Sequence, residues 1–309
     1  MSAQPSSPRR RARLWRAAAA VAVLIGLAGY LVVQYVTAGP GAPQCTVLAE
    51  GDAKEYELSP EQAANAATIS AVASSRGLSE RAVTIALATA MQESGLRNID
   101  FGDRDSVGLF QQRPSQDWGT VQQIMDPVYS AGEFYRHLAK VPGYSRLPLT
   151  VAAQRVQRSG YPQAYAKHEA NAARLTGALS GRDRDAMICT ESGPVDGQAG
   201  GAAAVRERLV REFGAGVLPR TGGGKDGAAG GGSGVTIPVR QSGAVGAGDA
   251  ERRGWELAMW AMAHSAELRI EQISYAGRMW QADDAGKGWQ RKPADSAVGA
   301  RHVRIVTAQ

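Results

Sequence analysis

The chain contains an uncharged apolar run at residues 17–36, in which Gln34 is the only strongly polar side chain. About twenty helical residues cross a hydrocarbon core that is roughly 30 Å thick. Five arginines lie within the first sixteen residues, and basic residues on that side keep the N-terminus in the cytoplasm. We therefore expect one membrane-spanning helix that places residues 37–309 outside the cell. A cleaved signal peptide is the alternative, because small residues follow at 37–41.

The charge distribution argues against a nucleic-acid partner. The formal net charge is +6, but it falls to +1 when the five N-terminal arginines are left out. A nearly neutral remainder lacks the basic surface that binding to phosphates requires. We therefore expect no nucleic acid among the partners.

Two cysteines, Cys45 and Cys189, fit an exported protein, because disulfides persist outside the cytoplasm. A bond that closes so long a loop contributes about 4–5 kcal/mol in the chain-entropy account. The sequence therefore predicts a Cys45–Cys189 disulfide. The alternative is two unrelated buried thiols.

Helix signals dominate residues 59–180. The stretch Ser59-Pro60-Glu61-Gln62 combines an N-cap serine, a proline at the first helical position and a glutamine three residues after the cap. Ser79 begins a second helix, whose apolar residues predict a buried rod, and Gly95 is placed to end it. Glu93 is therefore expected in the last turn of an apolar helix.

Glycine interrupts this pattern after the helical region. Residues 193–234 contain two Gly-Gly-Gly triplets and predict a flexible linker, apart from a short amphipathic segment at 202–213. The remainder of the chain resumes a globular pattern. Strands are expected at 235–237, 270–276, 278–282 and 302–307, and a helix at about 250–268.

The pair Glu93-Ser94 is followed fifteen positions later by Gly108-Leu109-Phe110-Gln111-Gln112. This pattern resembles soluble lytic transglycosylases of the lysozyme-like family, in which a catalytic Glu-Ser at a helix end precedes a Gly-Leu-Met-Gln-like turn. The resemblance covers about residues 59–180. It implies cleavage of the bond between N-acetylmuramic acid and N-acetylglucosamine in peptidoglycan. Glu93 would act first as acid and then as base, giving a 1,6-anhydro product.

The proposed role of Glu93 requires a carboxyl group that is protonated near neutral pH. Burial against apolar side chains disfavours the carboxylate and raises its pKa, and the carbonyl-rich end of a helix acts in the same direction. Hydrolysis would instead require a second carboxylate. Asp100, Asp103 and Asp105 are candidates for it, so hydrolysis stays open, although turn formation is the alternative role of these aspartates.

The resemblance also implies substrate contacts close to Glu93. The candidate substrate-binding residues are Ser94, Gly108, Phe110, Gln111, Gln112 and Tyr165. Ser94 would orient Glu93, and the two glutamines would hydrogen-bond sugar hydroxyl or acetamido groups, with local turn bonds as the alternative. Phe110, Trp118 and Tyr161 would offer apolar faces to sugar rings or pack in the core.

One part of the family pattern is missing. The family has an Ala-Tyr-Asn-Ala-Gly stretch that lines the cleft, whereas residues 156–160 read Val-Gln-Arg-Ser-Gly. The glycine is kept and the Tyr-Asn pair is lost, although Tyr165 follows. A catalytically inactive, lysozyme-like wall-binding or scaffold protein is therefore the alternative to an enzyme.

The C-terminal region has a fainter resemblance, carried by Gly254-Trp255, Trp260, Tyr275–Trp280 and Gly288-Trp289. It is similar to a domain of secreted actinobacterial proteins that is related to zinc D-alanyl-D-alanine carboxypeptidases.

Active carboxypeptidases of that kind hold zinc with a histidine, an aspartate and a later His-x-His segment. Here that segment reads His302-Val303-Arg304, and the upstream histidine is absent. A catalytic zinc site needs about three protein ligands, and only Asp249 and His302 correspond. We expect a non-catalytic module without zinc, and no cofactor.

Together these features predict a mainly α protein with an N-terminal transmembrane helix, an α-helical lysozyme-like domain, a Gly-rich linker and a small α+β C-terminal module. The expected partner is the peptidoglycan glycan strand, and the expected location is the cell membrane, with the domains outside. The expected boundaries are 1–16 for a cytoplasmic basic segment, 17–36 for the anchor, 37–58 for a stalk, 59–190 for the lysozyme-like domain, 191–234 for the linker and 235–309 for the accessory module.

Overall fold

Helices and two antiparallel sheets make up the part of the chain that this computed structural model describes. The described residues are 43–48, 55–190, 200–219, 234–239, 247–291 and 301–308. None of their helices is both long enough and apolar enough to cross a bilayer. The membrane span predicted at 17–36 lies outside the described residues.

The predicted fold class, mainly α with strands only in a C-terminal module, is wrong. A three-stranded antiparallel sheet borders the helical region, so the described residues form an α+β fold with two sheets. Its strands, in the spatial order β2-β1-β3, are Gln44–Val47 (β1), Tyr56–Leu58 (β2) and Met187–Thr190 (β3). Strands of three or four residues are too short to give a readable alternation of apolar and polar positions, and so the sequence did not reveal them.

The disulfide predicted between Cys45 and Cys189 is present and joins β1 to β3. The two cysteines lie directly opposite each other in the antiparallel ladder, and both are buried. The bond therefore ties together the two ends of the helical region, which are 144 residues apart in sequence.

An alanine-rich helix, Pro60–Ser75 (α1), lies at the centre of the helical region. It begins with the predicted capping box, in which Ser59 accepts from the Gln62 backbone and Gln62 accepts from the Ser59 backbone. Residues 63–73 are all buried, and small side chains let neighbouring helices approach closely. The other helices of this region are Glu80–Glu93 (α2), Val121–Ile124 (α3), Pro127–Leu138 (α4), Leu149–Gln157 (α5) and Glu169–Leu179 (α6).

Helix α2 is buried from Ala82 to Met91, because α1, α4, α5 and α6 pack around it. Gly95 follows with a φ of 65° and donates its N–H to the Met91 carbonyl at 3.1 Å. A left-handed glycine just past the last turn is a common helix terminator. This termination confirms the prediction that Glu93 lies in the last turn of an apolar helix.

The second sheet lies in the C-terminal part of the chain and has the strand order β4-β8-β5-β6-β7. The predicted strands and the amphipathic helix at 202–213 are confirmed, whereas the helix predicted at about 250–268 is divided in two at His264. The elements are Ala202–Phe213 (α7), Gly234–Pro238 (β4), Ala247–Ala263 (α8), Ser265–Leu268 (α9), Ile270–Tyr275 (β5), Arg278–Gln281 (β6), Gln290–Arg291 (β7) and His302–Thr307 (β8).

Glu212 of α7 is a buried carboxylate that connects three helices. It is 1% exposed, and it accepts hydrogen bonds from Thr68 of α1 at 2.9 Å and from the Trp260 indole of α8 at 2.7 Å. Arg208, one turn earlier in α7, provides a counter-charge at 3.5 Å. A buried charge is tolerated only when it is paired and hydrogen-bonded, as Glu212 is here.

His264 extends this cluster. Its Nε2 lies 3.6 Å from Glu212, and its Nδ1 lies 2.6 Å from Glu267. Burial lowers the pKa of His264, but the two carboxylates together outweigh burial and raise the pKa to about 9. The imidazolium is therefore the form that the folded protein favours at neutral pH.

We predict that Glu212→Ala lowers the free energy of unfolding by about 3–5 kcal/mol at pH 7, because it leaves the Thr68 and Trp260 donors without their acceptor and removes one of the two carboxylates that face the buried His264. Glu207→Ala, an exposed position on the same helix, should change it by less than about 0.5 kcal/mol. Urea unfolding measures both values. Equal values for the two variants would contradict the account.

The same cluster sets a pH dependence. A histidine whose pKa is raised by folding contributes stability that is complete below its unfolded value of 6.5 and is lost as the pH rises through about 9. Wild-type stability should decline in this window, and Glu212→Ala should show a smaller decline.

Candidate active site

Two side chains, those of Tyr165 and Gln157, lie beside the Glu93 carboxyl. The hydroxyl of Tyr165, in the 3-10 helix Pro162–His168, donates to Glu93 Oε1 at 2.6 Å. The side-chain amide of Gln157, the last residue of α5, also interacts with this carboxyl and donates to the Phe110 carbonyl at 2.7 Å. A half-buried carboxyl with one short hydrogen bond from Tyr165 and the Gln157 amide nearby therefore lies at the end of α2.

The environment favours the protonated form of Glu93. Burial raises its pKa, and the hydrogen bonds from Tyr165 and Gln157 lower it by less, so that the net pKa is above the usual glutamate value. Burial and the neighbouring carboxylate also raise the pKa of Tyr165, whose hydroxyl therefore stays protonated and donates. Glu93 can thus hold a proton at a higher pH than an exposed glutamate can.

Ser94 links the end of α2 to the turn at residues 108–112 by hydrogen bonding. Its hydroxyl lies 2.8 Å from the Leu109 carbonyl and 3.1 Å from the Ala90 carbonyl, and the structure gives it these partners rather than Glu93. Gly108 has a φ of 77°, and a Cβ there would lie 2.8 Å from the Ile124 carbonyl oxygen. Glycine at 108 is therefore needed for the turn to reach this position.

Four of the side chains predicted to contact sugar lie inside the protein, and one of them is Tyr165, which is fully buried. Phe110 is fully buried and stacks on Phe134, with ring centroids 4.7 Å apart. Gln112 is 1% exposed and donates to the Ser130 carbonyl at 3.1 Å. Trp118 is buried as well. These buried side chains present little or no surface to solvent.

Gln111 and Tyr161 are placed differently. The Gln111 amide donates to the carbonyls of Phe101 and Gly108, each at 3.3 Å, and so closes the loop before it. Tyr161 is 79% exposed. Of the aromatic side chains that the sequence suggested for sugar contact, Tyr161 alone has a free face among the described residues.

The loop aspartates are separate from Glu93. Arg113 bonds Asp105 at 2.7 Å and holds its pKa well below the usual aspartate value. Asp100 and Asp103 are exposed. No hydrogen bond or ion pair within the described part of the chain joins these three aspartates to Glu93.

Gln157 is the functional residue that sequence reasoning missed. Gln157 lies in residues 156–160, where the Tyr-Asn pair of the resembled family is absent. This departure from the family pattern was the sequence signal that could have pointed to Gln157. Ser159, two residues later, also interacts with the Tyr165 hydroxyl and lowers the pKa of that group.

A cavity of about 760 Å³ lies away from Glu93, between the first sheet and the C-terminal region. It is lined by charged side chains, and Asp183 and Asp185 in its wall are paired with Arg182 and Arg278. These carboxylates are held as ion pairs, so this cavity lacks the desolvated acid found at Glu93.

Asp249 and His302 are the two residues that correspond to zinc ligands in the resemblance noted from the sequence. Asp249 lies in the first turn of α8, and His302 is an exposed residue at the start of β8. Within the described segments there is no group of three or more His, Cys, Asp or Glu side chains placed to hold a metal ion.

Comparison with known proteins bears on the C-terminal part of the chain. Residues 194–303 match the family model described as the VldE C-terminal domain. No curated protein matches the chain. The match includes α7, α8 and most of the second sheet, and it does not reach Glu93. The chain is thus similar to that family over about a third of its length.

We predict that Tyr165→Phe raises the pKa of Glu93 further, because the lost hydrogen bond is one that stabilises the carboxylate. Carbon-13 NMR titration of glutamate-labelled protein measures this pKa, and the Glu93→Gln spectrum assigns the signal. Tyr161→Phe is the matched control, since it removes an exposed hydroxyl from the same segment. A Glu93 pKa that is lower or unchanged in Tyr165→Phe would contradict the hydrogen bond from Tyr165 to Glu93.

Proposed function

We propose that this protein acts on peptidoglycan outside the cytoplasm and cleaves the bond between N-acetylmuramic acid and N-acetylglucosamine. The observation that carries the proposal is the partly desolvated carboxyl of Glu93, which accepts a hydrogen bond from Tyr165 at the end of a buried helix. A carboxyl whose pKa is raised by burial is suited to donate a proton to a leaving oxygen. We choose peptidoglycan as the substrate because the Glu93-Ser94 and Gly108–Gln112 pattern resembles that of soluble lytic transglycosylases.

In the proposed reaction protonated Glu93 donates its proton to the glycosidic oxygen, and the bond from that oxygen to C1 of the muramic acid breaks. The C6 hydroxyl of the same sugar then attacks C1 and gives its proton to the Glu93 carboxylate. A 1,6-anhydro ring forms, no water is consumed, and Glu93 ends in the state in which it began.

Tyr165 assists both halves of this cycle. Its hydroxyl donates to Glu93 Oε1 and so fixes which oxygen remains free to exchange a proton with the substrate. The interaction strengthens when the carboxylate forms, because hydrogen bonds to charged acceptors are stronger than those to neutral ones. Tyr165 therefore moderates a pKa that burial alone would raise further.

The aspartates favour the lytic route over hydrolysis. Hydrolysis by a retaining or inverting enzyme needs a second carboxylate near the scissile bond. Asp105 is engaged by Arg113, and Asp100 and Asp103 have no bond to the Glu93 cluster in the described residues. A mechanism with one carboxyl that acts as acid and then as base fits this arrangement.

The buried Cys45–Cys189 disulfide supports the proposed location. Such bonds form and persist in oxidising compartments, where peptidoglycan also lies. The glycan strand is thus a substrate that the folded protein would meet.

Glu93→Gln tests the proposal. Purified full-length protein is incubated with peptidoglycan, and the released muropeptides are analysed by mass spectrometry. The full chain is used because α7 and α8 pack against α1. We predict anhydro-muropeptides from the wild type and a rate at least about 100-fold lower from Glu93→Gln, since a general acid contributes about 10²–10⁴-fold.

The control is Glu207→Gln, the same change at an exposed position of α7, which should retain full activity. Reducing-end products would indicate hydrolysis and contradict the lytic route. Binding to peptidoglycan without any product from the wild type would instead favour the wall-binding alternative, which the altered stretch at 156–160 suggests.

A further inference from the structure

Among the described residues, two aromatic side chains are highly exposed to solvent. Phe101 is 70% exposed and Tyr161 is 79% exposed, whereas the other exposed large hydrophobic residues are aliphatic and no more than 52% exposed. Single exposed hydrophobic residues are common and need no explanation. What distinguishes these two is that each lies on a segment that is hydrogen-bonded toward Glu93.

Tyr161 is connected to Glu93 by a short chain of contacts. Its backbone N–H donates to the Ser159 hydroxyl oxygen at 3.1 Å, and Ser159 also bonds the Tyr165 hydroxyl. Tyr165 in turn donates to the Glu93 carboxyl. The exposed ring therefore lies on the segment that supplies the principal partner of the acid.

Phe101 is connected to Glu93 through the loop that contains Phe110 and Gln111. Its carbonyl accepts from the Gln111 amide, and the adjacent Phe110 carbonyl accepts from Gln157. Gln157 interacts with the Glu93 carboxyl. Each of the two segments that adjoin Glu93 thus carries one exposed aromatic ring.

We propose that Phe101 and Tyr161 are stacking platforms for the pyranose rings of the glycan strand, one on each segment beside Glu93. The inference rests on the proposed function and adds the residues that hold the polymer. The C–H face of a hexosamine ring is apolar, and an aromatic ring is the side chain that buries such a face with little loss of conformational freedom.

The sequence context supports a ligand role over a packing role. Phe110, nine residues after Phe101, is fully buried against Phe134, so the interior of this loop already has its aromatic contact. Tyr161 precedes Tyr165, which is likewise fully buried. The exposed rings are therefore additional to the rings that stabilise these segments.

Binding in the Glu93→Gln background tests the inference, because this variant should hold the glycan without cleaving it. Sedimentation with purified peptidoglycan gives the affinity of Glu93→Gln alone and with Phe101→Ala or Tyr161→Ala added. We expect each alanine change to weaken binding about 5- to 20-fold. Tyr161→Phe and Phe101→Tyr keep a ring and should bind within about twofold of the parent.

Val210→Ala is the matched control, because Val210 is an exposed apolar residue on α7, and its binding should not change. In the active background, the same alanine changes should raise KM more than they lower kcat. Alanine variants that bind like Glu93→Gln would overturn the platforms and leave the proposed function standing. Failure of Glu93→Gln itself to bind, with no product from the wild type, would overturn both.

Discussion

The burial of α2 is the constraint on which the site depends. Ten consecutive residues of this helix, from Ala82 to Met91, are excluded from solvent by the helices around it. Gly95 ends the helix shortly after this buried stretch. Glu93 is therefore held at the border between core and solvent, where a carboxyl is desolvated enough for its pKa to rise and still open enough to exchange a proton.

The remaining parts of the structure stabilise that placement from two directions. The Cys45–Cys189 bond joins the strands at either end of the helical region, so the helices around α2 cannot separate without strain on the first sheet. On another side, Glu212 connects α1 to α7 and α8 through Thr68 and Trp260. The C-terminal helices thereby support α1, which packs against α2.

Sequence reasoning found the features that rest on local chemistry. The capping box at Ser59, the glycine stop at Gly95 and the disulfide follow from residue types and spacing, and the structure has all three. It did not find the first sheet, whose strands are too short to show a period and pair only through contacts far apart in sequence. The fold class was wrong for this reason.

The candidate site shows the same division. Glu93 and Tyr165 were selected from the sequence, but their 2.6 Å hydrogen bond depends on how the 3-10 helix packs against α2. Gln157 was missed because its amide reaches the acid only through the packing of α5. Phe110 and Gln112, chosen as surface contacts, are buried, since a turn motif does not state which of its side chains face inward.

The central claim is that the desolvated carboxyl of Glu93 is the proton donor, and the pH dependence of kcat/KM tests it most directly. The account predicts that activity on peptidoglycan falls on the alkaline side, with a midpoint above the usual glutamate pKa, because the protonated form is lost there. In Tyr165→Phe this midpoint should move to higher pH. An alkaline limb that is absent, or that stays in place when the Tyr165 hydroxyl is removed, would contradict the account.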